Sequence, residues 1–472
     1  MADDLRGWLK KMEQSEQVKT IEGADWDQEI GAIEALNNRN PNGPAILFDK
    51  IKGSAPGFRV LCSSILTPWR TAVTLGLTPG PTRDLLTQVR GKVAQWDANI
   101  EKFKPQVVKT GPVMENVKSG NDINLLAFPT PKGRGKDGGR YIGTGHVMVT
   151  RDPDNGEINL GTYRVMVQDD KTLGFHIAPG KHGRLHMEKY HERGQACPIV
   201  VSIGHHPLAY CVGCIPFPDG AEYQYWGAMR DEPVQVIEEE VTGLPMPADS
   251  EIVIAGWCPP DKLRKEGPFG EYTGYYASGE RPNPIIEVAR VYYRNNPIIH
   301  GAPPSRPPYN GSYYSNLLDS SLVDSNMRKM GVPEVQGVWT HEVCAYWFMS
   351  VSIKQRYAGH AKQAALVASE LVHRGRYIVV VDEDIDFTDL RHVIWAITTR
   401  ADPGTGLDVI HRVRSTPLDP LIRKPATSFF ANRLIIDACK PFEWKNDFPE
   451  TISLDAGLEK KVREKWGKVL DL

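Results

Sequence analysis

The sequence predicts an α+β protein of several domains, in which a β-rich centre separates two segments of mixed structure. Helical and strand-like segments alternate up to about residue 112, strand-like runs dominate residues 113–300, and alternation returns after the proline-dense stretch 301–309. A length of 472 residues suits about three domains. With 41% hydrophobic and 24% charged residues, the composition is that of a globular chain with a sizeable core.

The first segment, residues 1–112, is predicted to be a small α/β domain. Apolar residues recur at helical spacing within 4–15 and predict a short amphipathic helix. These residues are Leu5, Trp8, Leu9 and Met12. A turn followed by a buried strand is expected at 43–49, where Gly-Pro precedes an apolar run.

Residues 113–300 are predicted to form an antiparallel β-barrel domain. The stretch 129–139 is a glycine-rich loop, but it lacks the Gly-Lys-Ser/Thr ending of a phosphate-binding P-loop. Three strand-like runs separated by turns then predict an antiparallel meander. They occupy 141–150, 158–168 and 173–177. Further β-rich stretches occupy 198–215, 250–257 and 285–293.

Residues 310–425 are predicted to form a second α/β domain, and residues 426–472 a tail that ends in a helix. Strands are expected at 350–353 and 378–381, and helices at 358–373 and 390–398. One face of the terminal helix is apolar. It carries Leu458, Val462, Trp466, Val469 and Leu470. Either a partner subunit or the rest of the same chain is expected to cover this face.

Charge and hydropathy exclude several classes of partner. A net charge of −2 gives no electrostatic case for nucleic acid or an anionic membrane. We expect no signal peptide and no membrane span, because no apolar run approaches about 20 residues. Seven scattered cysteines fit a reducing cytoplasm. Cys211 and Cys214 form a CxxC with no second pair, which favours packing over a zinc or redox role.

The stretch 266–271, Glu-Gly-Pro-Phe-Gly-Glu, holds two carboxylates on a short turn. Pro268 fixes its own φ, and the glycines can adopt backbone angles closed to other residues. Carboxylates that share a site tend to split their pKa values, so that one stays charged while the other carries a proton. The turn therefore suits proton transfer, although two solvated acids on a surface turn remain an alternative.

Arg164 is the cation most suited to join these acids. It is predicted to lie within the second meander strand and to share a face with Thr162 and Met166. An arginine among apolar strand positions needs a partner, and Glu266 and Glu271 are candidates. Such a group would keep one carboxylate ionised and leave the other free to exchange a proton. A purely structural ion pair is the alternative.

Asn159, His182 and Glu222 form a candidate metal-ligand set of mixed oxygen and nitrogen donors. That donor set favours Mn²⁺ or Mg²⁺ over zinc. The HExxH helix of a zinc hydrolase is absent from the sequence. Spacing alone does not show that the three residues converge.

Several motifs together resemble the UbiD family of prenylated-FMN-dependent decarboxylases. The central ones are Asn-Leu-Gly-Thr-Tyr-Arg at 159–164, Lys-His at 181–182, Gly-Ala-Glu at 220–222 and the turn at 266–271. The C-terminal ones are at 354–362, 381–386 and 393–396. The resemblance spans nearly the whole chain. It implies a split, flavin-reductase-like barrel that binds cofactor and metal, with 310–425 serving oligomerisation and the substrate-pocket wall.

The resemblance also assigns roles. It implies that Arg164, Glu266 and Glu271 are catalytic, with Glu271 the proton donor and Arg164 positioning it. It implies that Asn159, His182 and Glu222 hold Mn²⁺ or another divalent ion at the cofactor phosphate. It places a K⁺ on backbone carbonyls near Leu160, Val212, Gly213 and Ile215. It implies further cofactor contacts from Thr162, Tyr163, Lys181, Gly213, Cys214 and Lys354, although the family often has small hydroxyl residues where Gly213 and Cys214 stand.

The expected activity is reversible, non-oxidative decarboxylation of an aromatic, heteroaromatic or α,β-unsaturated acid, with the modified flavin as electron sink. Leu418 matches a family position near the substrate, and the pocket is expected to draw also on Tyr272, residues around 308–314, and Thr416. The expected partners are the acid, a second copy of the chain in a dimer or hexamer, and a flavin prenyltransferase that supplies the cofactor. A flavin reductase on a split barrel is the alternative enzyme, and a non-catalytic cofactor-binding protein is a third class.

Overall fold

The computed structural model describes residues 4–215, 217–372, 374–423, 428–452 and 454–470. In chain order its helices are α1 (Leu5–Gln14), α2 (Glu29–Asn37), α3 (Pro68–Thr74), α4 (Thr82–Asn99), α5 (His182–Glu192), α6 (Pro207–Cys214), α7 (Glu222–Arg230), α8 (Ser312–Lys329), α9 (His360–Leu371), α10 (Leu390–Arg400) and α11 (Ala456–Leu470).

The strands are β1 (Val18–Glu22), β2 (Ala45–Asp49), β3 (Arg59–Cys62), β4 (Gln106–Val107), β5 (Asn116–Ser119), β6 (Arg140–Gly143), β7 (Val147–Arg151), β8 (Ile158–Gly161), β9 (Val165–Val167), β10 (Thr172–Phe175), β11 (Cys197–Ile203), β12 (Gln235–Glu238), β13 (Pro245–Pro247), β14 (Ile252–Cys258), β15 (Leu263–Glu266), β16 (Arg281–Tyr293), β17 (Ile298–His300), β18 (Val335–Thr340), β19 (Phe348–Ile353), β20 (Tyr377–Asp382), β21 (Leu407–Arg414) and β22 (Phe430–Ala438).

The N-terminal sheet has the order β1-β2-β3-β17. The predicted helix at 4–15 is confirmed as α1, and its four apolar residues are buried. Asp4 caps the helix by accepting a hydrogen bond from the amide of Gly7. The predicted strand at 43–49 is confirmed as β2. Because β17 pairs with β3, the last residues of the predicted central segment complete the N-terminal sheet.

The central sheet is antiparallel in every described pairing and has the order β6-β9-β10-β16-β14-β11-β7-β8, with β5 and β15 also on β16. The α+β class with an antiparallel, barrel-like centre is therefore confirmed. The meander pairs as predicted, because β7 pairs with β8, β6 with β9, and β9 with β10. The prediction of continuous strands was wrong, because each of the two longer runs is split in two.

The two breaks lie opposite each other at 144–146 and 162–164. At the break, the amide of Thr162 donates to the carbonyl of Gly213 at 3.0 Å instead of to the sheet. Its hydroxyl donates to the carbonyl of His146 at 2.9 Å. Arg164 therefore lies in this irregular stretch and not within a strand.

A second correction concerns residues 198–215, which were predicted to be β-rich throughout. Only β11 is a strand, and α6 follows it. His206 caps α6 by accepting from the amide of Leu208, and Pro207 occupies its first turn, where a missing N–H costs nothing. The CxxC cysteines therefore end a helix. Cys211 is buried, and both cysteines are free thiols.

The C-terminal sheet has the order β18-β19-β20-β22-β21, and β19, β20 and β22 run parallel. The predicted strands are confirmed as β19 and β20, and the predicted helices as α9 and α10, although residue 373 lies outside the described residues. Since β22 completes this sheet, strand pairing crosses the limit predicted at residue 425. The domain limits remain a prediction.

The predicted terminal helix is confirmed as α11. Its apolar residues Leu458, Val462, Trp466 and Val469 are exposed on the single chain, and the side chain of Leu470 lies outside the described residues. Among the helices that the structure describes, none combines the length and apolar character required to cross a bilayer.

Candidate active site

Arg164 joins the two carboxylates of the turn, as predicted. Its Nε and Nη2 each donate to Glu266 at 2.9 Å, which is a bidentate pair, and its Nη1 donates to Glu271. Glu266 is completely buried, and only 7% of the Arg164 side chain is exposed. Burial lowers the pKa of Arg164, but the bonds and charges of both glutamates raise it by more, so the guanidinium stays charged.

The two glutamates have different surroundings. Glu266 also accepts hydrogen bonds from the hydroxyl of Tyr141 and the amide of Asn283, both at 2.9 Å. Four donors thus surround this carboxylate, as expected for the ionised partner. Among the described residues, the Glu271 carboxylate is hydrogen-bonded only by Arg164. Burial raises the pKa of Glu271, with the Glu266 charge adding to the increase and Arg164 opposing it. Glu271 is therefore the carboxyl group better able to hold and release a proton.

Backbone geometry and ring contacts fix the turn between the glutamates. Glu266 ends β15, and Gly267 has φ +85°, a conformation that favours glycine. The amide of Gly138 donates to the carbonyl of Pro268 at 2.8 Å. The rings of Phe269 and Tyr141 lie 4.4 Å apart, measured between centroids. The guanidinium carbon of Arg164 lies 5.3 Å from the centroid of Phe269. Arg164 is thus fixed by rings as well as by carboxylates.

Two of the predicted metal ligands, Asn159 and Glu222, lie near Tyr163, and the backbone beside the third, His182, contacts it. Burial raises the pKa of Tyr163, and Asn159, which lies in β8, opposes that rise. Glu222 begins α7, and the amide of Gly183, next to His182, donates to the Tyr163 hydroxyl at 3.4 Å. Glu222 is buried, and its Oε2 has no hydrogen-bond partner in the described part of the chain.

This donor set fits a divalent cation. Burial raises the pKa of Glu222 to about 8, so a cation at its free oxygen would favour the ionised form. His182 Nε2 lies 2.9 Å from Asp219, which is largely exposed and can give way. Across the described residues, no group of three or more His, Cys, Asp or Glu side chains is arranged to hold a metal, so the amide of Asn159 would be the third ligand.

Four predicted cofactor residues, Thr162, Lys181, Gly213 and Cys214, lie near this set. Cys214 is exposed, yet the surrounding protein raises the pKa of its thiol to about 11, with Thr162, Tyr210, Lys181 and Arg374 acting in the opposite direction. A side chain that is exposed to solvent while nearby protein atoms desolvate its thiol is typical of a residue that lines a cleft. A Cβ at Gly213 would lie 2.9 Å from the Thr162 hydroxyl, so this wall is closely packed. The predicted cofactor residues Thr162, Lys181, Gly213 and Cys214 thus converge.

The predicted pocket residues also meet. The hydroxyls of Tyr272 and Thr416 are hydrogen-bonded, and the amide of Leu418 donates to the Thr416 hydroxyl at 3.3 Å. Sequence reasoning missed Arg374, whose guanidinium carbon lies 4.1 Å from the Tyr346 centroid and 5.4 Å from that of Tyr272. Its Nη2 donates to Asp319 at 2.6 Å. The basic pair Arg374 and Arg376 before β20 was the available signal.

Lys354 does not join this group. It follows the C-terminal end of β19, where its amide donates to the carbonyl of Glu334. Arg374 instead precedes β20, which pairs in parallel with β19 from Phe348 onward, so the two cations lie at opposite ends of the sheet. Arg374 and Lys181 are near enough to Cys214 to lower the pKa of its thiol.

Family models match most of the chain. They are described as the N-terminal, Rift-related and C-terminal domains of 3-octaprenyl-4-hydroxybenzoate carboxy-lyase, and they match residues 9–89, 106–307 and 317–438. Pyrrole-2-carboxylic acid decarboxylase of Pseudomonas aeruginosa is 30% identical over 94% of this chain and 93% of that protein. Phenolic acid decarboxylase of Sedimentibacter hydroxybenzoicus is 32% identical over 96% and 94%.

Solved structures of UbiD-class and vanillic acid decarboxylase enzymes have a similar fold over nearly the whole chain. The open form of vanillic acid decarboxylase from Sedimentibacter hydroxybenzoicus has 30% identity and a TM-score of 0.86 over 100% of both chains. The UbiD-class enzyme HmfF of Pelotomaculum thermopropionicum, in complex with FMN, has 27% identity and a TM-score of 0.85, covering 97% of this chain and 98% of that chain. An evolved dimeric HmfF in complex with prFMN has 27% identity and a TM-score of 0.81 over the same shares.

Proposed function

This chain belongs to the UbiD family of carboxy-lyases, and on that premise we propose that it removes CO₂ from an aromatic, heteroaromatic or α,β-unsaturated acid with prenylated FMN as cofactor. The observation that carries the proposal is the position of Arg164 between Glu266 and Glu271. This arrangement supplies one anchored anion and one carboxyl group with a raised pKa. A decarboxylase needs such a proton donor, because the carbon that loses CO₂ must gain a proton.

The residues of the cleft suit a phosphorylated flavin and its metal. Asn159, His182 and Glu222 would hold Mn²⁺ or another divalent ion, whose charge would neutralise the cofactor phosphate. Contacts to the cofactor would come from Thr162, Tyr163, Lys181, Gly213 and Cys214, and a K⁺ would bind carbonyls near Leu160, Val212, Gly213 and Ile215. When bound, prenylated FMN supplies an electron sink that no amino-acid side chain provides.

The chain's own residues manage the proton. In the net reaction a carboxylate and one proton become CO₂ and the decarboxylated product, in which a C–H bond replaces the broken C–C bond, so the enzyme takes up one proton in each turnover. Glu271 delivers that proton from its carboxyl oxygen to the substrate carbon and is then reprotonated from solvent. Arg164 aims the carboxyl group, while Glu266 keeps Arg164 in place. The steps are reversible, so high CO₂ would favour carboxylation.

The pocket favours a planar, aromatic acid. Tyr272, Thr416 and Leu418 form one wall, and the ring of Tyr346 stands 5.7 Å from that of Tyr272, between centroids. Arg374, charged and only about one-third exposed, is available to an anionic group in the cleft. The names of the relatives, phenolic acid and pyrrole-2-carboxylic acid decarboxylase, suggest the same substrate class.

Two protein partners belong to the proposal. A second copy of the chain would cover the exposed face of α11, in a dimer or a larger ring. A flavin prenyltransferase would supply the cofactor. The flavin reductase alternative has no specific support, because the family models along the chain are those of a carboxy-lyase.

The test compares wild type with Glu271→Gln, both made together with a flavin prenyltransferase. CO₂ release is measured against a panel of aromatic acids, and bound flavin is read from its absorbance. We expect wild type to release CO₂ without a redox partner, and Glu271→Gln to bind flavin normally but turn over roughly 10²–10⁴-fold more slowly. Glu280→Gln, an exposed change nearby, is the matched control.

Two outcomes would contradict the proposal. Wild-type turnover in Glu271→Gln would remove Glu271 as proton donor. Oxidation of NAD(P)H with no CO₂ release from any acid would favour the flavin reductase alternative.

A further inference from the structure

Glu34 is a buried carboxyl group outside the site described above. It lies on the inner face of α2 and has no exposed surface. Neither of its oxygens has a hydrogen-bond partner among the residues that the structure describes. Burial raises its pKa to about 8, against the opposing charge of Arg134 and a smaller opposing effect of the nearby Asn38 side-chain amide, so the neutral acid predominates at pH 7. A buried polar group of this kind calls for a ligand or bound water.

A small cavity lies beside Glu34. It offers a volume of about 20 Å³ to the centres of water-sized molecules, and a single water requires roughly 10–15 Å³. Its wall includes Glu34, Cys62, Asp137, Tyr141 and Phe269. The last two are the tilted ring pair that adjoins Arg164. The cavity therefore shares two wall residues with the surroundings of the catalytic arginine.

Asp137 connects this cavity to the catalytic turn. It is 6% exposed, and burial raises its pKa, while hydrogen bonds from the Tyr276 hydroxyl and the Gly270 amide lower it. The Tyr276 bond measures 3.1 Å. Gly270 directly precedes Glu271, so Asp137 lies beside the backbone from which the proposed proton donor extends.

Helix α2 contacts the same loop directly. A Cβ at Gly31 would lie 2.1 Å from the carbonyl oxygen of Gly133, so only glycine permits this approach. The amide of Gln28 donates to the carbonyl of Lys132 at 2.8 Å. A polar link across the cavity would therefore connect α2, through the 129–139 loop, to the turn at 266–271.

We propose that Glu34 is a positioning residue, whose neutral carboxyl group donates to water held in this cavity and, through that water, to Asp137, fixing the backbone that carries Glu271. Residues around the cavity supply the other groups that this hydrogen-bonded link requires. Arg134 balances the charge of Asp137, and Asp137 is the acceptor. Tyr141 and Cys62, whose pKa values burial raises, stay neutral. This role rests on the proposed function.

The test compares Glu34→Gln with Glu34→Leu, and uses Cys62→Ala as the control for a change in cavity volume alone. Gln keeps a neutral hydrogen-bonding group, so we expect Glu34→Gln to retain wild-type kcat at pH 7. Leu cannot hold water, so we expect kcat to fall about tenfold to a hundredfold with little change in KM. Cys62→Ala should keep wild-type kcat.

The pH profile gives a second readout. Ionisation of Glu34 near pH 8 should lower wild-type kcat on the alkaline side, and that limb should move to higher pH in Glu34→Gln. An unmoved limb, or equal kcat in the Gln and Leu variants, would overturn the proposal.

A readout independent of activity separates this inference from the proposed function. Amide hydrogen exchange of a peptide spanning 266–276 should be faster in Glu34→Leu than in wild type and unchanged in Glu34→Gln. Equal protection in all three folded proteins would overturn the positioning role even if decarboxylation is confirmed. If wild type releases no CO₂ but exchange follows the expected order, the proposed function fails while the link from Glu34 to the turn stands.

Discussion

Arg164 and Glu266 share two parallel hydrogen bonds of 2.9 Å, through Nε and Nη2, and this geometry leaves Nη1 for Glu271. The pair is bidentate and almost fully buried, so the guanidinium plane is fixed on one side by the anion it holds. The direction in which Nη1 of Arg164 points toward Glu271 is then fixed as well. The placement of Glu271 is a consequence of the Glu266 contact, and it is sensitive to the shape of the cation as well as to its charge.

Arg164→Lys should therefore be strongly impaired although the charge is kept. A lysine ammonium is a point charge and cannot span Glu266 and still reach Glu271 in plane. We expect kcat to fall roughly 10²-fold with KM for the acid little changed, because misplacement of a reacting group by about 1 Å costs that much. Steady-state CO₂ release measures both constants. A lysine variant with wild-type kcat would show that charge alone positions Glu271.

The chemistry of this site could be predicted from the sequence because its residues occur in compact motifs. The turn at 266–271 carries two acids on a backbone that glycine and proline restrict, and buried Arg164 needed anionic partners. The path of the chain at Arg164 could not be predicted. The apolar pattern of 158–168 is that of a strand, but hydrogen bonds from Thr162 to Gly213 and His146 interrupt the sheet there. Such long-range bonds leave no periodic signal.

Arg374 and helix α6 were missed for related reasons. The apolar run before Cys211 suits a strand or a buried helix equally, and only the cap at His206 and Pro207 decides between them. Arg374 lies far along the chain from the central motifs, and its role depends on stacking against Tyr272 and Tyr346. Lys354 matched a motif position but lies at the other end of its sheet. Motif spacing does not report which end of a strand faces the cleft.

Stability should fall on acidification through buried neutral histidines, of which His205 is one. Burial lowers the pKa of His205 to about 4, whereas an unfolded histidine has a pKa of about 6.5. The unfolded chain therefore binds the proton more tightly, and acidification below about pH 6.5 favours unfolding. The contribution of His205 is intact at pH 7 and falls by about 2 kcal/mol by pH 5.

The measurement is urea unfolding of wild type and His205→Leu at pH 7 and pH 5. Burial, with the charge of His205 as a second cause, also lowers the pKa of His146 and His300 to about 3. The comparison therefore reports His205 together with its effect on these two rings. We expect the free energy of unfolding to drop by about 2 kcal/mol less in the variant than in wild type. Parallel pH dependence in the two proteins would show that His205 is protonated in the folded state.

Mn²⁺ should stabilise the wild-type protein through Glu222. A cation that binds only the folded chain adds about 2.7 kcal/mol to its stability at a hundred times the Kd. Thermal unfolding with and without Mn²⁺ measures this, after treatment with EDTA to remove bound metal. We expect Tm to rise in wild type and in Glu192→Gln, an exposed acid at the end of α5, and to stay constant in Glu222→Gln. An equal rise in Glu222→Gln would place the ion elsewhere.

The terminal helix gives the last prediction, which concerns assembly. On the single chain, Trp466 is 46% and Val462 38% exposed, and they lie one helical turn apart on the same face as Leu458. Exposed apolar groups in such a row indicate an interface. We expect light scattering to show an oligomer for wild type and for Lys460→Glu, which changes the polar face, but a monomer for Trp466→Glu. A wild-type monomer would mean that no second copy covers this face. An oligomer that survives Trp466→Glu would move the contact to another surface, because a buried, unpaired glutamate in a subunit interface is not tolerated.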